Sequence, residues 1–81
     1  MSRQATRQIA ATIGANVRAA RGTMTQRSVA EALEIPSIYV SRWERGENVP
    51  DGMNQQKLAD LFFEGDVSAL YRDDSKTEAA A

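Results

Sequence analysis

Apolar residues in the first part of the chain recur at the spacing of one helical face. Ile9, Ile13 and Val17 lie four residues apart, and this separation brings side chains onto the same side of an α-helix. The stripe predicts a first helix that ends near Arg21, before a Gly-Thr pair. Gly14 lies inside this helix and should weaken it by about 1 kcal/mol relative to alanine.

Two shorter apolar patterns follow, with a proline between them. Thr25 can accept hydrogen bonds from backbone N–H groups and so begin a second helix, with Val29 and Leu33 on its inward face. Pro36 is tolerated at a helix start and disfavours helix in the residue before it. A third helix should therefore begin there or one residue later and end at Gly46, a residue type that favours a left-handed C-terminal conformation.

The rest of the chain predicts two more helices and a polar tail. Asp51 can cap a fourth helix and Asp66 a short fifth one. The expected inward residues of the fourth helix are Met53, Leu58, Leu61 and Phe62, and the apolar residues of the fifth are Val67, Leu70 and Tyr71. No alternating pattern indicates a strand, so the expected fold is all-α, with five helices over residues 9–71. Residues 1–8 are expected to form a flexible arm or a helix extension, and residues 72–81 a disordered tail.

Composition narrows the possible functions. The 81 residues make one domain, and no apolar run approaches the roughly 18 residues that span a bilayer. The absence of cysteine and histidine removes disulfides, thiolate metal sites and the usual neutral-pH general base. We therefore expect no enzyme site, no metal, no cofactor and no small-molecule ligand. The lack of cysteine fits a cytoplasmic location.

Charge is divided unevenly along the chain, although the net charge is only −1. Seven basic and three acidic residues occur up to residue 45, and three basic and eight acidic residues follow. The first part therefore carries +4 and the second part −5. A basic front and an acidic back can orient a protein on DNA, and ordinary surface charge is the alternative explanation.

The third predicted helix separates into two faces at about 100° per residue. Val40 and Trp43 fall on one side and should pack inward, although Trp43 could instead stack on a nucleic-acid base. Tyr39 lies at the edge, where its ring can pack while its hydroxyl reaches a phosphate. The other face has two hydroxyls, two guanidinium groups and one isoleucine: Ser37, Ile38, Ser41, Arg42 and Arg45.

This polar face has the chemistry needed to read a DNA major groove. The fork of Arg42 can donate two hydrogen bonds to guanine O6 and N7, and serine hydroxyls can donate or accept at base edges. Ile38 can pack against thymine methyl groups; the alternatives are a place beneath the preceding helix or a surface position without a role. The two arginines could instead be solvated, or pair with Glu34 or Glu47.

The segment over residues 26–46 resembles the helix-turn-helix of the Cro/cI, or XRE-type, phage-repressor family. The likeness rests on Gln26-Arg27-Ser28-Val29-Ala30, Val40-Ser41-Arg42-Trp43-Glu44-Arg45-Gly46 and the Pro50 that follows. It extends over about residues 9–71 and implies a five-helix, lambda-repressor-like domain. Glu34 departs from the family, which usually has glycine at this turn. A left-handed backbone there costs a non-glycine residue about 1 kcal/mol.

The resemblance implies functional roles for individual positions. Ser37, Ile38, Ser41 and Arg42 match positions that face the bases. Gln26, Arg45 and Asn48 match positions near the DNA phosphates, and Arg27 and Tyr39 complete the expected phosphate-contacting set. The implied protein is a transcriptional regulator, a Cro-like phage or bacterial repressor that binds a pseudo-palindromic operator in double-stranded DNA as a homodimer.

Dimer contacts are expected from the fourth or fifth helix. Phe62 and Phe63 are adjacent and should not both face one core, so Phe63 is a candidate, together with Leu70 and Tyr71. An alternative function is an antitoxin or another protein-interaction module that uses the helix-turn-helix for autoregulation. The short, polar segment after Arg72 argues against it.

Overall fold

The computed structural model describes residues 3–73, with side chains described from residue 7 onward. Over these residues the fold is all-α, as predicted, and has no strand. The elements are α1 (Arg3–Arg21), α2 (Gln26–Leu33), α3 (Ser37–Glu44), α4 (Gly52–Phe62) and a 3-10 helix (Val67–Tyr71). The fifth element is thus one short 3-10 segment rather than an α-helix. No helix within the described part is long and apolar enough to cross a membrane.

The helical part of the chain begins before residue 9, where the predicted domain starts, and ends at Tyr71 as predicted. α1 begins at Arg3, so residues 3–8 belong to it and are helical. At the other end, residues 72–73 follow the 3-10 helix without regular structure. Residues 1–2 and 74–81, which include most of the expected tail, lie outside the described residues.

The predicted caps are confirmed at three helix starts. Thr25, Asp51 and Asp66 each accept a backbone N–H from the first turn that follows, at 2.9, 2.9 and 3.0 Å. Each of these bonds satisfies a donor that would otherwise lack an intrahelical partner. Gly46 has φ +72° after α3, which confirms the left-handed conformation expected there.

One apolar core joins all five elements. Its buried members are Ile13, Val17, Val29, Ala30, Leu33, Val40, Trp43, Leu58 and Leu70. Three residues that were predicted to point inward do not: Ile9, Met53 and Leu61 remain 43%, 70% and 39% exposed. Met53 precedes the buried Leu58 by five residues, which places it about 140° around α4 from the buried face. The contiguous core begins at Ile13, one turn after Ile9.

α1 crosses α3 with its backbone almost in contact. A Cβ atom built on Gly14 would lie 2.1 Å from the backbone oxygen of Trp43 and 3.2 Å from that of Glu44. Any side chain at this position would therefore separate the two helices. The propensity cost expected at Gly14 is offset by a close helix–helix packing that glycine alone permits.

Asn16 ties α1 to the C-terminal end of the 3-10 helix. Its Nδ2 donates to the backbone oxygens of Leu70 and Arg72, each at 2.7 Å. Leu70 lies in the last turn of the 3-10 helix and Arg72 follows the helix directly, so neither carbonyl accepts a bond within it. This side chain therefore holds the last described element of the fold against the first.

Replacing Asn16 with alanine should lower the free energy of unfolding by about 1–2 kcal/mol, because two carbonyls lose their donor. Urea unfolding followed by circular dichroism measures the change. Gln8→Ala is the matched control, since Gln8 is an exposed residue of the same helix. Equal urea midpoints for the two variants would contradict the role assigned to Asn16.

Candidate nucleic-acid interface

The turn between α2 and α3 is held by several contacts despite an unfavourable residue. Glu34 has φ 62° and ψ 46°, so it adopts the left-handed conformation for which the family usually has glycine. The N–H of Ile35 donates to the Ala30 oxygen at 3.0 Å, and Nζ of Lys57 donates to the Leu33 oxygen at 2.9 Å. These bonds satisfy the end of α2 and fix the angle at which α3 leaves the turn.

α3 presents the two faces that its sequence predicts. Val40 is fully buried and Trp43 is 3% exposed, so the tryptophan packs in the core and is not free to stack on a base. On the outer side, Ile38 and Tyr39 are 46% and 44% exposed. The exposure of Ile38 excludes a place beneath the preceding helix. Ser37 and Arg42 are exposed and Ser41 is half-buried.

The two arginines of the exposed face have different surroundings. Arg42 has no hydrogen bond or ion pair to any described residue, so its guanidinium group is open to a ligand. Arg45 donates from Nε and Nη2 to the Glu47 carboxylate, at 2.7 and 3.3 Å, and from Nη1 to the Ser41 hydroxyl. The pairing with Glu47 left open by the sequence is therefore formed.

The Arg45–Glu47 pair is accessible to solvent. The hydrogen bond from Arg45 and the positive charges of Arg45 and Arg42 lower the pKa of Glu47, whereas partial desolvation opposes them. The same hydrogen bond raises the pKa of Arg45. Both side chains are about half exposed, at 52% and 51%. Surface ion pairs of this kind contribute little to stability, so this pair is not expected to stabilise the fold.

A more buried ion pair joins α1, α2 and α3. Arg21 donates from Nε and Nη2 to the two carboxylate oxygens of Glu44, at 2.6 and 2.9 Å. Gln26, the first residue of α2, donates to the same carboxylate at 3.0 Å. The side chains of Arg21 and Glu44 are only 18% and 5% exposed. This network attaches the C-terminal end of α3 to the helices on either side of it.

The pKa of Glu44 reflects two opposing effects. Burial raises it, but the hydrogen bonds from Arg21 and Gln26 and the positive charges of Arg21 and Arg18 outweigh burial. The net result is a pKa below the ordinary value. The carboxylate is thus held ionised as an acceptor for its two donors.

The remaining candidates for phosphate contact lie at the two ends of the helix-turn-helix. Arg27 forms an exposed ion pair with Glu31 one turn later, at 3.5 Å. Tyr39 and Asn48 line one shallow groove with Trp43 and Asn54. The amide nitrogen of Gln26 donates one N–H to Glu44, and its second N–H stays available to a phosphate oxygen.

The structure changes the picture of the dimer candidates. Leu70 is fully buried in the core, so its selection as an interface residue is wrong. The expectation that Phe62 and Phe63 cannot face one core is also wrong. α4 ends at Phe62 and the chain turns, so both rings pack against the core. The two rings meet each other edge to face, with centroids 6.2 Å apart. Tyr71 remains 44% exposed, and its hydroxyl donates to Gln55 at 2.7 Å.

Comparison with known proteins agrees with this arrangement. The helix-turn-helix family matches residues 16–65, which include all of α2, α3 and α4. The chain belongs to the XRE-type helix-turn-helix family. It is also 39% identical over 67 residues to the HTH-type transcriptional regulator DicA of Escherichia coli (strain K12). The match covers 80% of this chain and 50% of DicA, so the chain spans about half the length of this relative. No solved structure gives a significant match.

Some residues that shape this surface were missed by reasoning from the sequence. The Arg21–Glu44 pair connects residues 23 positions apart, and no helical periodicity links them. Lys57 reaches the α2–α3 turn from α4, 24 positions later. For Glu44 there was one local signal, its place directly after the inward-facing Trp43. A carboxylate so close to the core needs a cationic partner.

Proposed function

We propose that this helix-turn-helix protein is a transcriptional regulator that binds double-stranded DNA by placing α3 in the major groove. The observation that carries the proposal is the outer face of α3, where an unpaired guanidinium, two hydroxyls and an isoleucine stand opposite a buried tryptophan. The similarity to DicA, which is named as a transcriptional regulator, supports it. A helix with such a face fits the dimensions and the donor–acceptor pattern of the groove.

In the proposed complex, base and phosphate contacts come from different parts of the surface. Ser37, Ile38, Ser41 and Arg42 face the base edges, and Arg42 is the residue that can bind guanine through its fork. The phosphate contacts come from both ends of the motif: Gln26, Arg27, Tyr39, Arg45 and Asn48. Arg45 has donors left for this purpose, since a guanidinium has five N–H groups and three are engaged with Glu47 and Ser41.

The chain is further proposed to act as a homodimer on a pseudo-palindromic operator and to repress by excluding polymerase. Two α3 helices related by a two-fold axis would enter successive major grooves about 34 Å apart. Phe63 and Tyr71 are the proposed contacts between copies, because Tyr71 is exposed and Phe63 is only half-buried, and both belong to the C-terminal part of the fold. Sedimentation with and without operator DNA measures whether the dimer forms before binding.

Replacing Arg42 with alanine should weaken operator binding by about 1–3 kcal/mol and relax the preference at one base pair. The physical reason is the loss of a bidentate donor with no other described partner. Binding to the DNA upstream of the gene and to single-base-pair variants of that site, measured by gel shift at several salt concentrations, gives both quantities.

Arg72→Ala is the matched control for this experiment. It removes the same charge from the segment after the 3-10 helix, and the backbone oxygen that Asn16 binds is retained. A uniform loss across all sequences in Arg42→Ala, with a salt slope smaller by about 1, would instead identify a phosphate contact. Absence of saturable, salt-sensitive binding by the unaltered protein would reject the proposed function.

A further inference from the structure

A chain of hydrogen bonds runs along the exposed side of α3 and connects a residue that touches no base to one that faces the bases. Glu47 accepts from two nitrogens of Arg45, and the third nitrogen of Arg45 donates to the Ser41 hydroxyl oxygen. A fork bonded to both carboxylate oxygens fixes the plane of the guanidinium. Arg45 is therefore held against Ser41 before any DNA arrives.

This contact changes the hydrogen-bonding character of Ser41. A serine hydroxyl offers one O–H donor and two acceptor lone pairs. A cationic donor occupies one lone pair here, and it polarises the hydroxyl so that the remaining O–H is a stronger donor. The same cation disfavours the approach of a base amino group, because both would direct N–H groups at one oxygen. The hydroxyl is thereby biased toward acceptors such as guanine O6 and N7, adenine N7 or thymine O4.

We propose that Glu47, acting through Arg45, is a specificity-determining residue that makes Ser41 read a hydrogen-bond acceptor on its base. The inference rests on the proposed function, since it requires α3 to lie in the major groove. Glu47 is a positioning residue, and Ser41 makes the base contact. Arg45 retains two N–H groups and can hold Ser41 while it contacts a phosphate.

The charge of Glu47 is otherwise unfavourable at this place. It lies two residues beyond Arg45 and next to Asn48, on the part of the surface proposed to meet phosphates. A carboxylate there repels the DNA backbone and reduces affinity for every sequence alike. Attraction to DNA therefore cannot be the function of this carboxylate. Better discrimination between bases at one base pair can be.

The test compares sequence preferences rather than affinity alone. The full chain first selects its sites from a random duplex library, and each base pair of the selected site is then varied in competition binding. Ser41→Ala identifies the base pair that Ser41 reads. Glu47→Gln should reduce the preference for an acceptor at that same base pair by about fivefold, the value of one hydrogen bond, and raise affinity for all sequences.

Two further variants separate the proposal from its alternatives. Asp60→Asn removes one negative charge from α4 and keeps an acceptor for Gln56, so it should leave every base preference unchanged. Arg45→Lys keeps the positive charge but has no fork, so it should lose the same preference as Glu47→Gln. Thermal unfolding of each variant should match the unaltered protein, because the pair is exposed.

The outcomes distinguish two kinds of failure. If the unaltered protein selects no sequence, the proposed function is rejected and this inference with it. If the protein selects a site but Glu47→Gln and Asp60→Asn show identical base preferences, only the inference is overturned. A site in which Ser41 faces a cytosine amino group would overturn it as well.

Discussion

Replacing Gly14 with alanine is expected to lower the free energy of unfolding by about 3 kcal/mol. The new Cβ would meet the backbone oxygen of Trp43 at 2.1 Å, a distance that real Cβ contacts do not reach. Helix propensity alone would favour alanine by about 1 kcal/mol, so the sign of the measured effect decides which influence dominates. Overpacking dominates here because neither atom can move by changing a rotamer.

The destabilisation from Gly14→Ala should be large relative to the stability of the whole domain. Domains of this size are stable by a few to about ten kcal/mol, and each kcal/mol shifts the melting temperature by about 4–8 °C. We therefore expect the melting temperature to fall by about 12–24 °C. The backbone that must yield is the C-terminal turn of α3, so the surviving folded protein should also bind DNA less tightly.

Gly52→Ala is the matched control for Gly14→Ala. Gly52 begins α4, and a Cβ there would meet nothing within 4 Å. Its replacement should be neutral or stabilising by up to about 1 kcal/mol, because alanine reduces the entropy of the unfolded chain. Equal melting temperatures for the two variants would show that α1 and α3 separate without cost, and would contradict the close approach.

The helices and caps of this fold could be predicted from the sequence because their signals are local. The stripe on α1, the capping residues and the proline before α3 each act within one or two turns. The errors concern residues whose surroundings depend on the tertiary arrangement. Met53 and Leu61 are apolar but lie off the face that meets the core, and Phe63 leaves α4 and turns its ring back.

The exposed face of α3 was also predictable, because a helical wheel separates Trp43 from Ser41 and Arg42 without knowledge of the fold. The residues that hold this face in position could not be predicted in the same way. From the sequence, Gly14 is only a residue that weakens α1, and Glu44 is only a polar residue of the family motif. Both act across a helix crossing, which no spacing along the chain records.

Replacing Glu44 with glutamine should destabilise the protein by about 2–3 kcal/mol at neutral pH. Glutamine has the same shape, but it leaves the charge of Arg21 uncompensated in a site where that side chain is 18% exposed. Breaking a fully buried pair costs about 3–5 kcal/mol, and the residual exposure of Arg21 reduces this cost. Urea unfolding gives the difference, and Glu47→Gln, which breaks an exposed pair, should leave the urea midpoint unchanged.

The dependence of this difference on pH tests its electrostatic origin. The pKa of Glu44 is lower in the folded protein than its ordinary value of 4.5, so the folded state binds fewer protons than the unfolded chain in that range. Glu44 therefore contributes its full stabilisation above the ordinary value and loses it as the pH falls through the folded pKa. Glu44→Gln lacks this titration, so its stability should approach that of the unaltered protein as the pH is lowered from about 7 to about 3. A constant difference over that range would show that Glu44 acts through packing, and that charge does not hold α3 to α1.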